Sequence, residues 1–576
     1  MPLFGLVNQR LMKWYTVLLG FATGGLTLKL LTFASEAPLT VRHWIPSANV
    51  QVSLQLTGIG LYVAAVAGCI GALALLYSIK YMEAEEKEYP PTRYYFLTIL
   101  FIGSMIALAL SDNFLSLYIF WEIIGFCSYA LIAYYYNDPK AVRAGTKAFI
   151  VTRFGDIGLL LGVVMLWSAM SKLGNPTFNI AETVAAAQAG AIPVWILGVV
   201  GAGFLAAAIG KSAQFPLHIW LPDAMEAPTT ISALIHAATL VNAGVYLCAR
   251  MLPLFGYVYW WLPTLMWIGA FSALLTGVLA LVEKDLKRAL AFSTVSQLGY
   301  MMAGVGAASI FASQFHLLNH AVFKALLFLC AGAIIHATGT RNMLEMGGLK
   351  RLMPITHGCF LVGVLALAGV PIFNGFWSKD AIFEAMAHQH AWGPLALLII
   401  TALLTAAYGW RMYWLVFQAE PRSDASHAHD APWQMTAPLL ALAGGTLVSW
   451  LFVGGYTDKL GQQLPYHHIE SLELGALWHH TWTSPLMVVA VVVVVILVAL
   501  GVSWKKRPPV PEGPTMWADL LCDTKAFGDW FWGLWYVFMR GVAAVLSVCQ
   551  SGDLNYNGLW LALGLVTVLV MFLGWG

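Results

Sequence analysis

Apolar residues run in long blocks along this chain, separated by short polar stretches. Runs of bilayer-spanning length fall near 15–34, 55–80, 94–111, 113–136, 148–172, 192–226, 230–253, 258–282, 288–308, 314–337, 354–389, 393–419, 434–454, 484–503 and 557–575. A spanning helix needs about 20 predominantly apolar residues. The pattern therefore predicts an all-α integral membrane protein with about fifteen transmembrane helices. Two runs, 192–226 and 354–389, are too long for one straight helix and carry internal prolines.

Those two runs share a pattern. The first holds "GKSAQFPLHIWLPDAM" (210–225) and the second "GVPIFNGFWSKDAIFEAM" (369–386). Each reads as a half-helix, a proline interruption at Pro216 or Pro371, a Trp-x-x-Asp-Ala motif and a second half-helix. Proline lacks the donor that a helix ladder needs, so both should open. They are the sixth and eleventh spans, five apart, which gives them opposite orientations. That is the arithmetic of two inverted five-helix repeats, whose discontinuous helices mark the transport site in secondary transporters. The expected divisions are N-terminal helices (1–93), a first repeat (94–253), a second repeat (258–419), additional helices (420–514) and a C-terminal segment (515–576). In that last segment 515–548 reads either as a lateral amphipathic helix or as a further crossing near 530–548, which would flip the C-terminus, and 557–575 reads as an anchor.

Composition agrees with a membrane protein. The 576 residues are 60% hydrophobic and 10% charged, against about 25% charged in soluble domains. The net charge of +2 gives no nucleic-acid footprint. Seven scattered cysteines form no CxxC pair, so neither a disulfide framework nor an iron–sulfur or zinc site is suggested. There is no P-loop, no GxGxxG in a strand–helix setting, and no soluble stretch long enough to hold a flavin, a haem or a nucleotide. The first apolar run continues at full spanning length, which argues against a cleaved signal peptide. Basic loop residues such as Lys140–Lys147, Lys284–Arg288, Lys350–Arg351 and Lys505–Arg507 fall on one side of this arrangement. Arg42, Lys172, Arg250 and Lys459 fall on the other. The positive-inside rule then places the N-terminus in the cytoplasm and the C-terminus outside.

Ionisable residues inside apolar spans carry the candidate chemistry. Glu122 follows Trp121 in "LYIFWEIIGFCSYALIAYYY", and Lys211 lies inside another span. An unpaired buried charge costs several kcal/mol, so the economical expectation is that Glu122 and Lys211 pair across helices. A purely structural ion pair would contribute little, because apolar replacements are often as stable. Asp156 and His236 are single polar groups in apolar helices, and a backbone carbonyl would satisfy His236 equally well. His316, His320 and Lys324 in "FHLLNHAVFK" are spaced four apart and line one helix face. Two histidines at i, i+4 can ligate a metal, but a lysine is a poor third ligand and no carboxylate or cysteine completes the set. A hydrated stripe of such groups serves as a proton relay. Lys379 and Asp380 stand at the second break. Arg411 reads as interfacial and Lys287 as a solvated loop charge.

The motifs "GKSAQFPLHIWLPDAMEAPTTISALIHAATLVNAGVYL", "FWEIIGFCSYALI", "KAFIVTRFGDIG", "DLKRALAFSTVSQLGYM", "FHLLNHAVFKALLFL" and "GFWSKDAI" resemble the proton-translocating, antiporter-like subunits of NADH-quinone oxidoreductase. The branch is the one called subunit L, or chain 5 of respiratory complex I. The resemblance covers about 55–420. It implies that Glu122 and Lys211 match the family's ion pair. His236, His316, His320 and Lys324 match its hydrophilic axis, Lys379 its exit lysine, and Asp156 and Asp380 further acids. It also implies a membrane-arm subunit without its own redox centre or metal, with NADH, FMN, iron–sulfur clusters and quinone in partner subunits. Homologous antiporter-like subunits, lipid and protons would be its partners, in a bacterial inner membrane. The chain departs from the usual pattern by one fewer N-terminal span and a short lateral segment. Mrp-type cation/proton antiporters, inorganic-carbon uptake complexes and membrane hydrogenases use related subunits and remain alternatives.

Overall fold

The computed structural model describes residues 8–32, 39–45, 50–56, 58–422, 428–463, 473–484 and 486–506. The expected lateral helix 515–548 and anchor 557–575 lie outside the described residues.

Apart from one antiparallel hairpin, β1 (Leu39–Ile45) and β2 (Val50–Leu54), the described chain is helical. The helices before the first break are α1 (Gln9–Leu30), α2 (Gly58–Tyr81), α3 (Pro91–Leu110), α4 (Phe114–Ile132), α5 (Pro139–Lys172), α6 (Ile180–Gln188) and α7 (Val194–Lys211). Next come α8 (Thr229–Ala237), α9 (Leu240–Arg250), α10 (Leu252–Phe255), α11 (Trp261–Val282), α12 (Leu286–Gly306), α13 (Ile310–Thr338) and α14 (Pro354–Ala368). The series ends with α15 (Asn374–His388), α16 (Trp392–Tyr413), α17 (Trp433–Val448), α18 (Val453–Gln463), α19 (Leu474–Thr483) and α20 (Met487–Lys506). Each expected run from 15–34 through 484–503 overlaps at least one helix, though not every run holds a helix of spanning length. Among the described residues, ten helices, or eleven counting one bent pair, are long and apolar enough to cross a membrane. This is an all-helical membrane protein.

Local chemistry sets the helix ends. Asn113, Asp138, Asp285 and Ser309 cap α4, α5, α12 and α13 by accepting backbone N–H groups of the first turn. The N-terminus of α14 is capped from a distance. Asp430 accepts from the backbone N–H of Ile355 (2.8 Å) and Thr356 (3.1 Å). Glycines then allow close helix approach. A Cβ on Gly203 of α7 would stand 2.2 Å from the Gly158 carbonyl oxygen of α5. A Cβ on Gly299 of α12 would stand 2.4 Å from the Gly269 oxygen of α11.

The two overlong runs open differently. In the second, α14 ends at Gly369, whose φ of +88° suits glycine, and α15 resumes at Asn374. In the first, α7 ends at Lys211, and the expected second half-helix is replaced by two 3₁₀ turns, Leu217–Trp220 and Asp223–Glu226. Pro216, Pro222 and Pro228 recur every six residues there, too densely for an α-helical ladder. A third break, between α8 and α9, interrupts the expected continuous span 230–253. It contains neither proline nor glycine. Thr239 Oγ1 donates to the Leu234 carbonyl (2.8 Å), Asn242 Nδ2 to that of Ala237 (2.6 Å) and Ser212 Oγ to that of Val241 (2.7 Å). These side-chain bonds cluster at the carbonyls on either side of the break.

Candidate functional site

Three elements build the first charged cluster. On α5, Arg153 and Asp156 stand three residues apart and so share a face. The α5–α7 glycine contact brings that face to the end of α7. Asp156 Oδ2 lies 3.2 Å from Lys211 Nζ, and both side chains are about 1% exposed. Asp156 Oδ1 accepts from the Trp121 indole at 2.5 Å. Glu122, one residue on, pairs with Arg153, whose guanidinium is also 3.4 Å from Asp156. The expected direct Glu122–Lys211 pair is therefore corrected. Lys211 is neutralised by Asp156, and Glu122 reaches it through Arg153 and Asp156. Lys211 still touches the helix of Glu122, since a Cβ on Gly125 would stand 2.6 Å from its Nζ.

The segment after Lys211 joins this cluster to α12. Gln214 Nε2 donates to the carbonyls of Ser212 (2.9 Å) and Val295 (3.4 Å). The Phe215 N–H donates to Ser272 Oγ (3.0 Å).

The second cluster is centred on α12 and α13. Every residue of α12 except Arg288 is buried. Lys324 Nζ donates to the Leu290 carbonyl (3.2 Å) and Ser293 Oγ (2.5 Å). His316 bonds Gln297 Oε1 (3.1 Å) through Nε2 and Ser378 Oγ (2.9 Å) through Nδ1. His320 and His236 are fully buried, and neither ring has a protein hydrogen-bond partner. His236 instead stacks on Phe328, with centroids 4.6 Å apart. Groups of this kind are ordinarily met by internal water. Lys379, on α15, donates to the Leu367 carbonyl across the break (2.6 Å) and lies 5.5 Å from the Tyr300 ring centroid. Asp380 and Lys379 face a crevice walled by Phe376, Phe383, Val489 and Val493.

A third group was not expected. Lys287 is only 3% exposed, and its Nζ donates to the carbonyls of Met225 and Ala227 at 2.7 Å each. Arg341 pairs with Glu226 (3.0 Å) and Asp285 (2.8 Å), while Asp223 takes Arg288 (3.1 Å) and Lys147 (2.7 Å). These charges pin the 3₁₀ segment after the first break to the start of α12. Arg411, read as interfacial, is also buried and donates to the Glu283 carbonyl (2.6 Å). The i, i+3 spacing of Arg153 and Asp156 is the sequence signal that points to this first cluster. Lys287 carries no signal of burial beyond its place beside the Asp285 cap.

Residues 111–405 match the family described as NADH:quinone oxidoreductase/Mrp antiporter, and residues 44–96 match the N-terminus of NADH-ubiquinone oxidoreductase (complex I) chain 5. The chain belongs to the NADH:quinone oxidoreductase/Mrp antiporter family. Within it, the chain is 42% identical over 443 residues to F(420)H(2) dehydrogenase subunit L of Methanosarcina mazei, covering 71% of this chain and 65% of that one. It is 40% identical over 449 residues to NAD(P)H-quinone oxidoreductase chain 5 of Synechocystis sp., covering 76% and 64%. It thus spans just under two thirds of the length of these two relatives. Among solved structures, the Mrp complex from Dietzia sp. aligns with TM-score 0.77 and 27% identity over 97% of this chain and 60% of that one. An archaeal membrane-bound sulfane sulfur reductase shares the fold at TM-score 0.70 and 24% identity, over 80% of this chain and 94% of that one.

Proposed function

We propose that this chain is a proton-translocating membrane-arm subunit of a complex I-type, redox-driven quinone oxidoreductase. Redox cofactors would reside in partner subunits, among them other antiporter-like chains, and the site would lie in a bacterial inner membrane. The observation that carries this reading is the burial of nine ionisable groups, Asp156, Lys211, His236, Lys287, His316, His320, Lys324, Lys379 and Asp380, inside one helical bundle. A transporter of sugars or amino acids has no use for so many titratable side chains. We take 94–253 and 258–419 as the inverted repeats and the breaks at Lys211 and Lys379 as their corresponding members.

In this mechanism the Glu122–Arg153–Asp156–Lys211 set is the input switch. Moving Asp156 away from Lys211 removes the counter-charge that holds the ammonium's proton. The proton passes by way of the segment at Ser212 and Gln214 to the His236, Lys324, His320 and His316 group. It reaches Lys379 and Asp380 and leaves through their crevice. Closing the pair draws in the next proton. The test is redox-driven proton uptake by membrane vesicles holding the whole complex. Lys211→Ala should abolish the share of flux due to this chain while the complex still assembles. Undiminished flux would refute the reading.

The alignment with the Mrp complex over nearly all of this chain supports a second reading, a cation/proton antiporter subunit. Sodium-for-proton exchange in vesicles without any electron donor would favour it.

A further inference from the structure

We propose that a buried clasp of Asn319, Asn374 and Ser449 positions the Ser378 hydroxyl so that it fixes the tautomer of His316. The inference rests on the proton-translocating reading above and adds positioning residues to it. Two helices present matching pairs. His316 and Asn319 stand three apart on α13, and Asn374 and Ser378 four apart on α15, so each pair shares a face. All four side chains are fully buried. Ser449 is half-buried and begins the 3₁₀ turn Ser449–Phe452 that ends α17.

The clasp has one allowed polarity. Asn374 Nδ2 lies 3.3 Å from the Asn319 main-chain carbonyl, which can only accept, so the amide nitrogen is the group that faces α13. The same nitrogen donates to Ser449 Oγ (2.9 Å). Ser449 therefore gives its own proton to Asn319 Oδ1 (2.7 Å). Three elements, α13, α15 and the turn after α17, are joined at one point. On its other side α15 is seated by Gly375, where a Cβ would run into the Ala366 carbonyl oxygen of α14. The first turn of α15 is held between these two contacts.

That turn carries the partner of His316. Ser378 Oγ donates to the Asn374 carbonyl one turn back (3.1 Å) and lies 2.9 Å from His316 Nδ1. A hydroxyl has one proton. With it committed to the carbonyl, Ser378 accepts from His316, and Nδ1 is the protonated nitrogen. The hydrogen bond at one ring nitrogen sets the state of the other. Nε2, which faces the Gln297 side chain at 3.1 Å, is left as the atom that takes up and returns the relayed proton. The charged and titratable groups around this ring are Lys379 of α15, Tyr300 of α12 (6.3 Å between ring centroids) and His320 of α13 (6.2 Å).

A clasp that merely seats α15 predicts lost stability and an unchanged dependence of flux on pH. The experiment reads assembly and the pH profile of redox-driven proton uptake in vesicles holding the whole complex. It compares Ser378→Ala, Ser449→Ala, their double variant, Ser449→Thr and Lys211→Ala. Ser378→Ala removes the acceptor itself, whereas Ser449→Ala breaks the clasp from the flank. We expect both to move the midpoint of the profile in the same direction by about half a unit or more, the scale of one lost hydrogen bond. The double variant should move it no further than Ser378→Ala, because the two act through one bond. Ser449→Thr keeps the hydroxyl and should restore the wild-type profile. Asn374→Ala deletes the amide, keeps the main-chain carbonyl and reads the same loss should Ser449→Ala fail to assemble. A wild-type profile in assembled Ser449→Ala or Asn374→Ala, beside a shifted Ser378→Ala, overturns the role of the clasp. A wild-type profile in Ser378→Ala overturns the tautomer assignment as well. Undiminished flux in Lys211→Ala overturns the translocation reading and this inference with it.

Discussion

Asp156, not Glu122, is the counter-ion of Lys211. Its carboxylate stands 3.2 Å from the ammonium and is held in place by the Trp121 indole. The two acids therefore differ in consequence. Asp156→Asn leaves Lys211 buried without a counter-charge, a change that costs about 3–5 kcal/mol when a buried pair is broken. Glu122→Gln loosens a partner of Arg153 at a site that is 22% exposed, where ion pairs contribute less. Thermal unfolding of the purified complex should show the larger loss for Asp156→Asn. Equal losses would place the burden on Glu122 after all.

The approach of α5 to α7 is what puts Asp156 in reach. Gly158→Leu should force these helices apart, because a Cβ there meets the Gly203 backbone at about 3.0 Å and the rest of the side chain has nowhere to go. We expect about 1–3 kcal/mol of destabilisation together with lost proton flux. Gly174→Ala is the control at an open position. Its φ of +80° gives it a backbone cost, but no packing clash and no loss of flux.

His316 separates relay from scaffold. It is bonded on one side to Gln297 and on the other to Ser378. His316→Phe should leave Gln297 Oε1 without its partner, while Ser378 keeps its bond to the Asn374 carbonyl (3.1 Å), and cost about 1–3 kcal/mol. His316→Gln can restore one or both bonds yet carries no exchangeable imidazole proton. Flux should be lost in both variants, while stability returns toward wild type only in Gln. Normal flux with glutamine would make His316 a structural residue.

The membrane spans were legible because hydrocarbon imposes a length and a composition on any helix that crosses it. The buried charges were legible for the same reason, as exceptions within those runs. Their partners were not, because pairing is decided by which helix faces meet. Glu122 and Lys211 are the two conspicuous charges in the sequence, and nothing in the apolar pattern marks Arg153 as standing between them. The break at Ala238–Thr239 has no proline or glycine to announce it, and its hydrogen bonds come from Thr239, Asn242 and the distant Ser212. Lys287 sits two residues after a helix-capping aspartate, a position that is solvated in most proteins. Only the 3₁₀ turns folded over it make it a buried site.

The remote cap on α14 can be tested independently of transport. Asp430 accepts two backbone N–H groups at the start of that helix, and the Thr356 hydroxyl donates to it as well (2.9 Å). Removing a cap of this kind costs about 1 kcal/mol, with a range of roughly 0.5–2. The cost should appear as fraying of the first turn of α14 rather than as a change at Lys379, which lies beyond the break at Gly369. Asp430→Ala should therefore speed hydrogen exchange at Ile355 and Thr356 while leaving proton flux near wild type, and Asp430→Asn should recover most of the protection. A flux loss as large as that of Lys211→Ala would mean that α14 must be firmly seated for the second break to work.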